Sequence, residues 1–183
     1  YQCSYPLIGL EPLKVDITAE IPTAWEQNKP TPPFAISVDA TALGETWVGL
    51  KTIGAAKIAG TARAATSIVQ GGGAKLSTGV LVNLDPYTVT DDDPGEAGLK
   101  LKASGSTPNV TFFQAGPATI SLGDIALTLR ATGAEGEPIS APDPEYAPDT
   151  DNDPFTLNIV CKPFPATQDL LLTTVQIGPI AST

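Results

Sequence analysis

The chain has 183 residues, 42% of them hydrophobic and 16% charged, with a formal net charge of −10 and no histidine or methionine. The acidic balance disfavours nucleic acid or an anionic membrane as a partner, because phosphate contacts need clustered Lys and Arg. The lack of histidine excludes Ser-His-Asp and Cys-His catalysis, and no apolar run approaches the ~20 residues that cross a bilayer. We therefore expect one non-enzymatic domain over residues 1–183, with no membrane insertion.

The two cysteines, Cys3 and Cys161, lie far apart in the sequence. Such a pair predicts one disulfide formed in an oxidising compartment, with two buried free thiols or an intermolecular bridge as the alternatives. The chain begins at Tyr1 without a methionine, so we expect a mature chain whose signal peptide has been removed. Both features favour a protein that is secreted and lies outside the cell or at its surface.

The first elements that the sequence predicts are two β-strands. Residues 14–21 alternate polar and apolar side chains, as a half-buried antiparallel strand does, and residues 34–39 repeat the alternation. The period then changes, since apolar residues recur every third or fourth position over about 41–54. This spacing predicts one short helix with Thr41 as its N-cap and Gly54 as its stop, and a twisted strand is the alternative.

The rest of the chain reads as further strands separated by Gly and Pro. Residues 56–69 predict a strand with small residues on one face, which implies the close approach of another layer. Later strands are predicted at 80–84, 99–103, 110–114, 118–122, 125–131, 155–161 and 170–177. Residues 133–154 are rich in Pro and Asp and predict a long loop.

This pattern predicts an all-β fold. Many short strands with turn signals between them indicate a sandwich or a closed sheet. We expect an antiparallel β-sandwich of the Ig-like or Greek-key type, with one short helix and long Pro/Asp-rich loops.

An acidic run in the long loop is the candidate metal site. Asp149, Asp151 and Asp153 alternate, a spacing that can place carboxylate oxygens around one Ca²⁺ ion. The run departs from an EF-hand loop, because Pro154 follows the third acid and no closing Glu is present. The alternative is a solvated acidic turn. Residues 91–93 are a further candidate for this or another site, with the same alternative. No other cofactor is predicted.

Three short motifs carry a resemblance to a known family. They are the opening Cys3-Ser4-Tyr5-Pro6-Leu7-Ile8-Gly9, the stretch Gly54-Ala55-Ala56-Lys57-Ile58-Ala59-Gly60-Thr61-Ala62, and the late Cys161-Lys162-Pro163. With them the chain resembles a family of secreted actinobacterial domains of unknown function that have an N-terminal Cys-x-Tyr-Pro-Leu motif. The resemblance implies export and an extracellular β-domain, and it brings no catalytic residues.

The function that we expect from the sequence is a structural role. We expect an extracellular self-assembling subunit, of a filament or a surface layer, whose main partner is another copy of itself. The terminal segments flank the outer strands, and their apolar members are predicted to dock on a neighbouring subunit: Tyr1, Tyr5, Leu7, Ile8 and Ile180. The alternative for the N-terminal ones is that they cover the protein's own core near Cys3. The alternative function is a monomeric cell-surface module that binds a glycan or a protein, and paired carboxylates of a glycosidase rank behind both.

Overall fold

The computed structural model describes residues 1–6, 8–140 and 155–179. Within them the strands are β1 (Gln2–Tyr5), β2 (Gly9–Ala19), β3 (Ala24–Glu26), β4 (Ala35–Ala42), β5 (Lys57–Val69), β6 (Lys75–Thr88), β7 (Leu99–Ser106), β8 (Gly116–Thr132), β9 (Leu157–Lys162) and β10 (Leu171–Gly178). The helix α1 spans Thr46–Thr52, and a single 3₁₀ turn spans Gly95–Ala97. The prediction of an all-β fold with one short helix is confirmed.

The strands form one sheet that closes on itself. Eight strands pair antiparallel in the circular order β5, β6, β7, β4, β2, β1, β9 and β8, and β8 pairs again with β5. We call this closed part the ring. The division into two packed sheets that the sequence pattern predicts is not seen in these pairings. Register shifts in β5, between Ile58 and Gly60 and between Ala64 and Thr66, bend the strand and help the sheet to curve.

The strand β8 belongs both to the ring and to an extension. Its C-terminal half, from Ile125 to Leu129, pairs with β9 and completes the ring. Its N-terminal half pairs with β10, which in turn carries β3 in parallel on its other side. The sequence predicts two strands here, at 118–122 and 125–131, but the turn signal at Gly123 lies inside one continuous strand.

The helix α1 connects β4 to β5 and covers one end of the ring. Its N-cap is Glu45 rather than the predicted Thr41, which belongs to β4. The predicted stop is confirmed, because Gly54 follows the helix with a positive φ of 77°. Three apolar residues on the buried side of the helix region, Trp47, Leu50 and Ile53, pack on a cluster that includes Ile58 of β5.

The opposite end of the ring is covered by loops. Residues 110–114 are predicted to be a strand but run as a loop, in which Phe112 is 3% exposed and packs with Ile68 and Val175. This loop is held against the Pro-rich connection between β3 and β4, since Thr31 N–H donates to the carbonyl of Val110 at 2.8 Å. The two ends of the ring are therefore closed by segments of different kinds.

Candidate ligand-binding cavity

The interior of the ring contains an apolar cavity of about 190 Å³. Strands from all sides of the ring contribute inward side chains to its wall, and these include Val15, Ile17, Val38, Leu101 and Leu127. Each of these side chains is only partly buried, although it faces the inside of the protein. The inward apolar surface is therefore not fully covered by other side chains.

Small residues at inward positions explain why the cavity is present. Six alanines on four strands line it: Ala19, Ala40, Ala42, Ala62, Ala64 and Ala103. An eight-stranded closed sheet has an interior that large side chains just fill, or that holds one small ligand. Alanine reaches too short a distance to fill this space. The small residues of β5 thus border a cavity, where the sequence predicts the close approach of another layer.

Most of the polar groups on the wall are hydrogen-bonded within the protein. Thr31 Oγ1 accepts from the Val110 amide at 2.9 Å, and Thr107 Oγ1 accepts from the Phe34 amide at 2.9 Å. Thr46 Oγ1 donates to the carbonyl of Leu43 at 2.9 Å. These three hydroxyls are engaged by the backbone that frames the cavity.

Thr66 and Thr78 form a polar spot on the wall between β5 and β6. They are direct partners in the register of the two strands, and both line the cavity. Thr66 is 6% exposed, and its hydroxyl lies 3.5 Å from the carbonyl oxygen of Ala64, at the outer limit of a hydrogen bond. Within the described residues, the Thr78 hydroxyl makes no side-chain hydrogen bond.

Tyr5 is the ionisable group most deeply placed against the cavity. Burial raises the pKa of its phenol to about 12, a hydrogen bond with Thr46 lowers it in part, and the charge of Glu11 raises it. The phenol is therefore neutral over the physiological range. Lys102 also borders the cavity, but its ammonium lies outside, 3.2 Å from Asp39, with the side chain 73% exposed.

One side of the cavity wall lies beside an edge of β2 that, in the described part of the chain, has no strand partner. Residues 14–19 of β2 pair with β4 on one side and, among the described residues, with no strand on the other. β10 faces the same cavity but pairs with β8 and β3. Among the described residues, β2 and β10 are not paired with each other, and the side chains of Ile21, Trp25 of β3 and Leu172 of β10 line this part of the cavity. Trp25 also packs edge-to-face on Phe34, with ring centroids 6.2 Å apart.

The predicted disulfide is present and lies beside the cavity. It joins Cys3 of β1 to Cys161 of β9, and both residues are fully buried. Because β9 also pairs with β8, the bond fastens the strands that complete the ring.

The N-terminal residues predicted for self-association pack on the protein's own core. Tyr5 is buried in the cluster around the disulfide, and Tyr1 and Ile8 pack against that cluster. The Tyr1 hydroxyl donates to the carbonyl of Gly123 at 2.9 Å. Leu7 and Ile180 lie outside the described residues. Self-association through these residues stays a prediction.

The predicted Ca²⁺ ligands Asp149, Asp151 and Asp153 also lie outside the described residues. In the described ranges, acidic and cysteine side chains do not gather in groups of three or more that could hold a metal ion. Residues 91 and 92 form a bend, and Asp91 pairs with Lys51 at 3.5 Å. Calcium binding thus stays a prediction. The described residues include no helix of the length and apolarity needed to cross a membrane.

Comparison with known proteins identifies the family of the chain but no biochemical activity. No curated protein and no solved structure matches the chain. A model of a family of unknown function, DUF6801, matches residues 1–153, which is most of the sequence. The chain therefore belongs to the DUF6801 family, as the resemblance of its short motifs to a family of unknown function leads us to expect.

Proposed function

We propose that this protein is a secreted, non-enzymatic binding protein that holds a small apolar molecule inside the ring. The observation that carries the proposal is the 190 Å³ cavity bordered by inward apolar side chains that remain partly exposed. Covering such surface is favourable by about 0.8 kcal/mol for each buried methylene of a ligand. An apolar cavity of ~150 Å³ binds benzene, so this one has room for about six to eight carbon atoms.

The side of the wall between β2 and β10 supplies a route for entry. Backbone hydrogen bonds join the eight strands of the ring to one another, and opening them would expose unpaired amides and carbonyls. Here the wall is made of side chains such as Ile21, Trp25 and Leu172. Rotation of these side chains would admit a ligand while the sheet stays intact.

Secretion is supported by the disulfide. A bond between Cys3 and Cys161 is typical of an oxidising compartment, and it holds the strands that surround the cavity. The family resemblance stated above implies the same location. The proposal is thus a binding protein that works outside the cytoplasm, without catalytic residues.

A pair of matched variants tests the proposal. Ala64→Leu adds three carbon atoms to the inside of the cavity, whereas Ala65→Leu adds them on the exposed outer face of the same strand. We expect n-hexane, at a tenfold excess over its Kd, to raise the melting temperature of the wild type and of Ala65→Leu by about 3–6 °C. Ala64→Leu should show no such rise. A wild type whose melting temperature and NMR spectrum do not respond to hexane would refute the proposal.

A self-assembling structural subunit is the second candidate function. It is favoured by the edge of β2 over residues 14–19, which has a strand partner on one side only within the described part of the chain. An exposed edge can accept a strand from another copy. Lys14 and Asp16, however, are exposed on this strand, and charges on an edge discourage such pairing. Light scattering during size exclusion distinguishes assemblies from a monomer of 18.8 kDa.

A further inference from the structure

We infer that the ligand of the cavity is an uncharged aliphatic molecule with a single hydroxyl or carbonyl group, which hydrogen-bonds to Thr66 and Thr78. This inference rests on the proposed function, because it assumes that the cavity binds an apolar molecule. It adds the position and the chemistry of one polar contact.

The placement of the two threonines carries the first step. Thr66 on β5 and Thr78 on β6 are register partners on inward positions, so their hydroxyls share one small area of the wall. Inward neighbours along the same strands are apolar: Ala64 and Ile68 on β5, and Val80 on β6. A ligand that reaches this end of β5 and β6 would therefore meet one polar spot in an apolar surrounding.

The free hydrogen-bonding capacity of these hydroxyls carries the second step. A threonine hydroxyl can donate one hydrogen bond and accept two. The contact of Thr66 with the Ala64 carbonyl is 3.5 Å long, and Thr78 has no side-chain hydrogen bond among the described residues. An apolar ligand that filled the cavity would cover these groups and leave them without a partner, which is unfavourable. A hydroxyl or carbonyl on the ligand avoids that cost.

The charges around the cavity carry the third step. Among the described residues that line it, Lys102 is the one cation, and its ammonium pairs with Asp39 on the outside. A carboxylate at the two threonines would be buried without a counter-charge, and the chain already has a net charge of −10. A ligand cation would find no carboxylate side chain among the described residues that line the cavity. The polar group of the ligand is therefore neutral.

Three six-carbon probes and one double variant test the inference. The probes are n-hexane, 1-hexanol and hexanoate at pH 7, and the variant is Thr66→Val/Thr78→Val, which keeps the shape and removes both hydroxyls. We expect the variant to bind 1-hexanol about three- to tenfold more weakly than the wild type, the effect of losing one or two hydrogen bonds. Hexane should bind the variant as well as the wild type or better. Hexanoate should bind neither protein measurably.

Two further variants serve as controls. Thr128→Val makes the same change at an exposed position of β8 and should leave all three affinities unchanged. Thr66→Ser/Thr78→Ser keeps both hydroxyls and should retain the preference for 1-hexanol. This second variant separates the hydroxyls from the packing of their methyl groups.

The possible outcomes test the inference about the polar contact separately from the proposed binding function. If 1-hexanol and hexane bind the wild type and the valine variant with the same ratio of affinities, the inference is overturned and the binding function stands. If hexanoate binds as tightly as 1-hexanol, the neutral character of the ligand is overturned. If none of the three probes binds the wild type, the proposed function itself fails.

Discussion

Cys3 and Cys161 lie directly opposite each other on β1 and β9, although 158 positions separate them in the sequence. β1 hydrogen-bonds to β2 on its other side, and β9 hydrogen-bonds to β8. The disulfide is thus placed at the point where the early strands of the chain meet the late ones. It holds the ring closed and lies in the same buried cluster as Tyr5 and Ile159.

Removal of the disulfide should lower stability strongly. A bond that closes a loop this long restricts the unfolded chain and typically contributes about 2–5 kcal/mol. We expect Cys3→Ala/Cys161→Ala to lower the free energy of unfolding by this amount in urea titrations followed by circular dichroism. An unchanged urea midpoint, with an unchanged slope, would contradict a structural role for the bond.

Truncation of a filled part of the core should cost more than truncation of the outer face. Leu99 is 1% exposed and packs in the cluster around the disulfide, whereas Leu81 is 50% exposed on β6. We expect Leu99→Ala to lower the free energy of unfolding by about 2–5 kcal/mol. Leu81→Ala should stay within about 0.5 kcal/mol of the wild type. Equal effects in chemical denaturation would show that the ring interior is not packed at Leu99.

The buried phenol of Tyr5 should make the protein lose stability at high pH. Burial raises its pKa from 10.0 to about 12 in the folded state, so the unfolded chain releases this proton first as the pH rises. The stabilisation is complete below pH 10 and is lost as the pH rises from about 10 to 12, by about 3 kcal/mol in total. Urea midpoints across this range measure the loss.

The variant Tyr5→Phe isolates this effect from the other groups that titrate at high pH. It removes the phenol and its hydrogen bond with Thr46 while it keeps the ring. We expect the stability of the variant to fall less steeply than that of the wild type between pH 10 and 12. Parallel curves for the two proteins would assign the loss to other groups.

A glycine in β5 should not tolerate a side chain. Gly60 has a φ of 153° next to a register shift, and an added Cβ would meet the backbone carbonyl oxygen of Thr128 on β8. We expect Gly60→Ala to lower the free energy of unfolding by about 1–3 kcal/mol, because two paired strands must move apart. Gly123→Ala is the matched control, since its Cβ would lie 3.4 Å from Ala65, an ordinary contact. Thermal unfolding of both variants checks the prediction.

Trp25 should report on ligand binding by its fluorescence. The chain has two tryptophans, and Trp25 lines the cavity at the side wall between β2 and β10. In a Trp47→Phe background it is the sole tryptophan, so a saturable change in emission on addition of 1-hexanol would come from this position. The same change in a protein that also carries Ala64→Leu would mean that the signal arises elsewhere.

The periodicity of apolar residues predicted those strands and helices whose pattern is contained in one short stretch of the sequence. The alternation over residues 14–21 is sufficient to predict β2, because one face of that strand is buried and the other faces solvent. The three- to four-residue spacing over 41–54 is sufficient for α1, because it places one apolar stripe on the end of the ring. The strands β1 and β3 carry no such signal. They are short, and pairing partners distant in the sequence hold them.

The sequence identifies some residues that line the cavity, but it does not show that a cavity is present. Alternation identifies Ala62 and Ala64 as inward residues, but a small inward residue can mean either close packing or empty space. Which of the two applies depends on what lies across the ring, where Ala40 and Ala103 are also small. The same limit holds for Thr66 and Thr78, since their opposition follows from the register of β5 and β6.

The sequence alone predicted the all-β class, the helix and a disulfide between the two cysteines. Each of these depends on residue type or on periodicity within one element. The closure of the sheet, the cavity and its polar spot depend on tertiary structure. They arise where β8 meets both β5 and β9, contacts between segments far apart in the sequence that no local pattern encodes.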